Sequence, residues 1–432
     1  MSSMTPTVRR IGIESATSGY VYDLDLLRRR CRGVAGLRVG PKRVYFATMA
    51  NDHPAVLNCV REAGLGVFVN SGYHLELARQ LGFPPERIVY AASNMAAEEL
   101  AHCLRSGVHL VLDSLGQLTA LGDVLGRQPA GSGPVEVGMR VNVGSALDRT
   151  ELRLDPSYRF GLLEQEIPVA VRLAADIGVR IAGIHSYFGT DVMRPAVLLR
   201  GLELLSRVAD QVPDLRYLDV GGGFGVPDEL AAPEFELAAY ERGAERVLTA
   251  HRQRTGRPVE LYIEPGRYLA ADCGYYFVKV IDVKHRPDRV FVGSNGSVAE
   301  FPRPLIYPDR ARHPCELVTG TAETGRLPVF VCGNTTYSQD FLARGIELPV
   351  PRPGDTLVFH NAGAYGRSMA TRFLGRRLPA ETVVDGGRLV EPDAVAGSGS
   401  QPVGAQPLGT EPLDTRPADA ERLVPVPVPA SA

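Results

Sequence analysis

The chain has 432 residues, 47 Lys+Arg against 49 Asp+Glu, and a formal net charge of −2. That balance argues against a nucleic-acid binder, which carries a basic domain or stripe, while 44% hydrophobic and 22% charged residues suit a chain with a large core. No run of about 18 or more apolar residues occurs and residues 1–10 lack an apolar leader core, so neither a membrane span nor a secretory leader is expected.

Six scattered cysteines (Cys31, Cys59, Cys103, Cys273, Cys315, Cys332) form no C-x-x-C pair. They fit the cytoplasm better than a disulfide framework or a metal site. Only three of the basic residues are lysines: Lys42, Lys279 and Lys284.

In chain order, residues 1–25, with Gly19-Tyr-Val-Tyr-Asp23, are expected to add a strand to a later β domain. Arg28-Arg-Arg-Cys-Arg32 is a short basic run on a helix and reads as a solvated face. Across 26–275, short β-branched runs at 44–48, 66–69, 88–90, 108–112, 136–141, 181–185, 217–220 and 260–263 alternate with helical stretches. The helical stretches are 55–63, 74–81, 96–106, 168–177 and 195–211. Eight strands alternating with helices predict an α/β fold, a (β/α)8 TIM barrel. From 276 to 395 the pattern becomes short strands separated by turns, at 277–283, 290–293, 315–318, 329–331 and 356–359, which reads as a C-terminal β-sandwich or β-barrel domain. Residues 396–432 hold seven prolines and no aromatic residue, the composition of a disordered Pro-rich tail. Its segment Val424-Pro-Val-Pro-Val-Pro429 reads as a spacer rather than a docking motif.

Three motifs stand where strands should end. Leu218-Asp-Val-Gly-Gly-Gly-Phe-Gly225 follows a strand directly. Its glycines let backbone N–H groups approach an anion, although a flexible loop is the plain alternative. It is neither a dinucleotide fingerprint nor a P-loop. Glu264-Pro-Gly-Arg267 places a carboxylate at the end of the last barrel strand, where ligands bind; a simple Glu/Arg ion pair is the alternative. Asn361-Ala-Gly-Ala-Tyr-Gly366 reads as a tight turn that delivers a tyrosine, either to a site or into packing.

Together these motifs resemble the alanine-racemase-fold (fold-type III) pyridoxal-phosphate enzymes, and more closely the ornithine/diaminopimelate/arginine decarboxylase family. The resemblance runs from about Tyr20 to Phe373. It includes Phe46-Ala-Thr-Met-Ala-Asn51, Val69-Asn-Ser-Gly72, Gly183-Ile-His-Ser-Tyr-Phe-Gly-Thr190, Asp219-Val-Gly-Gly-Gly-Phe224, Glu264-Pro-Gly-Arg267, Arg303-Pro-Leu-Ile-Tyr307 and Asn361-Ala-Gly-Ala-Tyr365, in the family order.

The resemblance implies roles. Gly221, Gly222, Gly223, Thr190, Arg267 and Tyr365 match positions that hold the cofactor phosphate. Glu264 matches the acid that pairs with the pyridine nitrogen. Arg303 and Tyr307 match positions that bind the distal end of the substrate in the diaminopimelate branch, which points to an anionic group there; Tyr337 is a further substrate-binding candidate. No metal is implied.

The pattern also breaks. The lysine that forms the Schiff base with pyridoxal phosphate aligns with Met49, whose thioether cannot form an imine or carry a proton. Lys42 lies roughly 23 Å away along an extended strand. The family's ring-stacking histidine aligns with Tyr187, which keeps an aromatic face. Its proton-donating cysteine aligns with Thr336, a far poorer acid, while Asp340 is retained. Phe68 and His74 stand where the family has an aspartate and a glutamate.

The expected function is therefore a diverged decarboxylase homologue that binds pyridoxal phosphate non-covalently and acts on an amino acid or amino diacid in specialised metabolism. Alternatives are a cofactor-free enzyme using His185, Tyr187, Thr336, Tyr337 and Asp340, and a non-catalytic homologue that heterodimerises with an active paralogue. An ordinary decarboxylase would require Met49 to be misaligned. The resemblance also implies a homodimer in which the 336–340 segment reaches the partner's site.

Overall fold

A computed structural model describes residues 4–126, 135–142, 159–319 and 326–390. The proposed tail falls outside them. Strand β1 (Gly19–Asp23) precedes eight parallel strands: β2 (Lys42–Ala47), β3 (Gly66–Val69), β4 (Ile88–Ala91), β5 (His109–Leu112), β6 (Val135–Arg140), β7 (Val179–His185), β8 (Tyr217–Asp219) and β9 (Glu260–Ile263). These close into a barrel, β2 pairing with both β3 and β9. The (β/α)8 expectation holds, with each strand within a few residues of its predicted place. Helices follow from local chemistry. Asp23 Oδ1 accepts from Asp25 N at 3.0 Å and caps the helix Leu24–Ala35. Ser71 Oγ accepts from His74 N at 3.2 Å and caps Gly72–Gln80.

The remaining strands are β10 (Gly274–Arg286), β11 (Arg289–Ser294), β12 (Cys315–Leu317), β13 (Arg326–Cys332), β14 (Phe341–Pro349), β15 (Thr356–Phe359), β16 (Ala380–Asp385) and β17 (Arg388–Val390). They form one nine-stranded mixed sheet that includes β1, seated between β10 and β16. The basic run is not merely solvated. Arg28 pairs with Asp385 at 2.6 Å and Arg30 with Asp272 at 2.6 Å, tying a barrel helix to residues beyond the barrel.

Inside the barrel, Tyr45, Phe68, Val89, Val111, Tyr217 and Tyr262 form a small core of their own, and Met49 packs against it. Tyr217 and Tyr262 stack with centroids 4.1 Å apart. The large rings fit because β7 carries Gly183, where a Cβ would run into the Tyr217 ring. This layer is the floor of the cavity described below. Gly183→Ala should destabilise the protein by about 1–3 kcal/mol through overpacking, read as a lower urea midpoint at an unchanged slope. A wild-type midpoint would show that the Tyr217 ring has room to move.

Candidate active site

All the barrel-derived chemistry sits at the C-terminal ends of strands, where side chains converge on one mouth. A cavity of about 600 Å³ opens there, lined among others by Met49, Tyr187, Thr190, Asp191, Gly222, Gly223, Glu264, Arg267, Arg303, Tyr307 and Tyr365. Thus ten of the residues expected from sequence are brought together. Gly221 lies just behind, its N–H donating to Asp219 Oδ1 at 2.9 Å and its carbonyl accepting from Glu264 N at 2.8 Å. Met49 occupies the turn Thr48–Ala50 that follows β2.

The second sheet supplies the other wall. Tyr365 N–H donates to Ala50 O at 2.7 Å, and Ser368 Oγ donates to Met49 O at 3.0 Å and to Ala50 O at 3.1 Å. The 361–368 loop thereby clamps the Met49 turn and aims the Tyr365 ring at the cavity. Burial pushes the Tyr365 hydroxyl up to about 12, so it stays a hydrogen-bond donor at neutral pH.

The anion side of the cavity is built from backbone and arginine. A Cβ on Gly222 would come within 2.6 Å of Glu264 O, and one on Gly223 would collide with Gly189 O. Only glycine lets these two segments close up and leave a cradle. Arg267 Nε donates to both Asp191 oxygens at 2.7 and 2.9 Å. Its Nη1, and Arg303 Nε, are buried and lack a partner. Burial and the neighbouring Arg267 charge lower the Arg303 guanidinium to about 10. Two buried cations with unmet donors call for an anion or water. Tyr187 and Thr190 share a hydroxyl–hydroxyl contact of 2.7 Å beside them.

Opposite lies a buried acid–imidazole group. Atoms of His185, Asp219 and Glu264 all lie within 4.8 Å of one another. Burial lowers His185 to about 4, so its ring is neutral, and its Nε2 sits 3.5 Å from Glu264 Oε2. Burial raises Glu264 to about 7 and, with the adjacent Glu264 charge, lifts Asp219 well above its ordinary range. Glu264 Oε1 has no partner.

Residues 24–271 match the family described as "pyridoxal-dependent decarboxylase, pyridoxal binding domain". The chain belongs to this family. It is 30% identical over 391 residues to the diaminopimelate decarboxylase of Methanothermobacter thermautotrophicus, covering 87% of this chain and 88% of that one. It is 32% identical over 364 residues to the diaminopimelate decarboxylase of Actinosynnema pretiosum, covering 82% and 80%. The fold is similar to that of the diaminopimelate decarboxylase from Helicobacter pylori complexed with L-lysine, with a TM-score of 0.78 at 23% identity, over 87% of this chain and 93% of that one.

The family's cofactor fits this cavity in two respects: the glycine cradle beside unmet arginine donors suits a phosphate, and the unpartnered Glu264 Oε1 suits a pyridine nitrogen. It lacks the covalent anchor. No lysine lines the cavity. Lys42 begins β2 at the far end of the barrel. Lys279 Nζ donates to Ile13 O and Thr356 Oγ1 at 2.6 and 2.7 Å. Lys284 is on the surface, 3.7 Å from Asp282.

Three expected site residues lie elsewhere in their own chain. Thr336 and Tyr337 are exposed on the turn before β14. Asp340 is buried, but its carboxylate accepts from Val298 N at 2.8 Å, Thr335 N at 3.0 Å and Thr335 Oγ1 at 2.5 Å. Within this chain these bonds close the loop before β14. Conversely, Asp191 escaped the sequence reading although it directly follows the quoted Gly183–Thr190 motif. Arg140, Arg159 and Arg310, which also line the cavity, escaped too. Among the described residues no helix is long and apolar enough to cross a membrane.

An acid raised in the fold keeps its proton longer there than in the unfolded chain. The stabilisation this gives is complete below about pH 4.5 and is lost as pH rises through about 7. Glu264→Gln should flatten that fall and leave the protein without added cofactor on the order of 1–3 kcal/mol more stable than wild type at pH 8. Denaturant titrations across pH measure it. Superimposable pH profiles would place the titration elsewhere.

Proposed function

We propose that the chain is a diverged diaminopimelate/ornithine-type decarboxylase homologue that binds pyridoxal phosphate without a covalent bond and acts on an amino acid or amino diacid in specialised metabolism. One observation carries this reading. The cavity holds a glycine cradle beside unmet arginine donors and an unpartnered Glu264 Oε1, while Met49 occupies the turn after the first barrel strand and every lysine lies elsewhere.

Gly222, Gly223, Thr190, Arg267 and Tyr365 would hold the phosphate, and Tyr187 would cover the ring. Glu264 would hold a proton at the pyridine nitrogen. Bound there, the cofactor would supply an electron sink for loss of a carboxylate as CO2. Arg303 and Tyr307 sit on the cavity wall and suit an anionic distal group on the substrate. Met49 presents a thioether where a base would stand, so it shapes the cavity and moves no proton. The exposed Thr336 and Tyr337 suit contact with a second copy in a homodimer.

The test is titration with pyridoxal phosphate followed by borohydride reduction and peptide mapping. Saturable binding with no labelled lysine is expected; a labelled lysine would overturn the non-covalent reading. Met49→Lys should become labelled at residue 49. It should also raise CO2 release from meso-diaminopimelate or another amino diacid by roughly 10²-fold or more, the scale of a restored acid–base group. A labelled but inactive variant would assign the fold a ligand-binding role instead.

A further inference from the structure

The phosphate side of the cavity already contains an anion of its own. Asp191 is 7% exposed, and it meets Arg267 Nε with both oxygens while Oδ2 lies 3.9 Å from Arg303 Nη2. The same carboxylate thus stands between the arginine matched to the phosphate and the arginine matched to the substrate. It is held there firmly. Its backbone has a φ of +52°, unusual for a residue with a side chain, and the next residue is locked to the glycine loop by Val192 N–H donating to Gly223 O at 2.9 Å.

The contact geometry separates two roles. A carboxylate that orients a guanidinium uses two parallel N–H···O bonds, one to each of two nitrogens. Asp191 instead places both oxygens on Nε alone. It supplies charge more than direction. Arg267 and Arg303 bring two positive charges, and Asp191 cancels one. The remaining balance matches a single negative charge, whereas a phosphate monoester carries about 1.5–2 at neutral pH.

We propose that Asp191 is a built-in counter-ion that sets the charge the cradle accepts, weakening dianionic phosphate and favouring a singly charged group in its place. This inference rests on the reading of the cavity as a pyridoxyl-phosphate site. Arg140, Arg159 and Arg310 also line the cavity; the ion pairs of Asp191 are with Arg267 and Arg303.

The experiment is calorimetric titration, at pH 8, of wild type and Asp191→Asn with inorganic phosphate and with pyridoxal phosphate. Asp191→Asn should bind inorganic phosphate about tenfold more tightly or better, the scale of one like-charge contact removed from a partly screened site. Equal or weaker binding would overturn the proposal and leave Asp191 as a residue that only positions Arg267. If the variant does not fold, wild type alone decides. It should bind the phosphate monomethyl ester of pyridoxal phosphate at least as tightly as the dianion, and tenfold weaker binding of the ester would overturn the proposal. Inorganic phosphate reports on the cradle without the ring. If no pyridoxyl compound binds, the cofactor reading fails while the phosphate comparison still decides the role of Asp191.

Discussion

The site exists because the first barrel strand pairs with the last. Val44 lies opposite Ile263 in the β2–β9 ladder. That register carries the Met49 turn and the Glu264–Arg267 segment to the same rim, although they are about half the chain apart in sequence. The approach is close: a Cβ on Gly266 would lie 3.0 Å from both the Ala47 and the Ala50 Cβ atoms. A one-residue slip would turn the side chains of a strand to its other face, so the hydrophobic layer of Tyr45, Tyr217 and Tyr262 beneath the cavity also protects the geometry above it. Core and site are specified by one register.

The second sheet completes what the barrel starts. A barrel mouth alone is open to water, and water weakens every charge contact within it. The 361–368 loop closes one side through hydrogen bonds to the carbonyls of the Met49 turn, and Asn51 Nδ2 returns a bond to Gly363 O at 2.9 Å. Arg303 arrives on the short helix Arg303–Ile306 and is buried. The cavity therefore contains desolvated charge of both signs. Arginines and Asp191 meet at one side, and Asp219, Glu264 and a neutral His185 meet at the other. Buried ions of this kind are poor sources of stability. Their retention at the mouth of the barrel is better explained by ligand binding than by folding.

Much of this was legible in the sequence, and the exceptions share a cause. The eight barrel strands were readable because buried parallel strands are continuous apolar runs such as Gly66–Val69. Strand β14 was not, since Phe341–Pro349 mixes Arg, Gly and Glu into a half-exposed strand whose pairing with β13 is irregular. Strands β16 and β17 and the helix Pro6–Glu14 are short and lie beside other motifs rather than within them. At the site, residues in contiguous motifs were found and residues defined by distant partners were not. Asp191 meets Arg267 from 76 positions away, a separation no local pattern reveals. The partners of Asp340 are hidden in the sequence for the same reason: within this chain it accepts from Val298 and Thr335 and closes a turn.

The substitution at position 49 acquires its meaning from these contacts. A lysine there would enter a cavity that already holds Arg267 and Arg303, where burial raises Glu264 to about 7 and leaves it only a partial counter-charge near neutral pH. Methionine brings an uncharged, flexible side chain and packs against the aromatic layer below. It places no cation at the cavity mouth, and Asp191 sets an anion against Arg267 and Arg303. Both features leave the cavity less positive than its arginines alone would make it. The glycine cradle and the unpartnered Glu264 Oε1 remain beside them. The cavity thus combines donors suited to an anion with an internal carboxylate and a thioether that offers no covalent anchor.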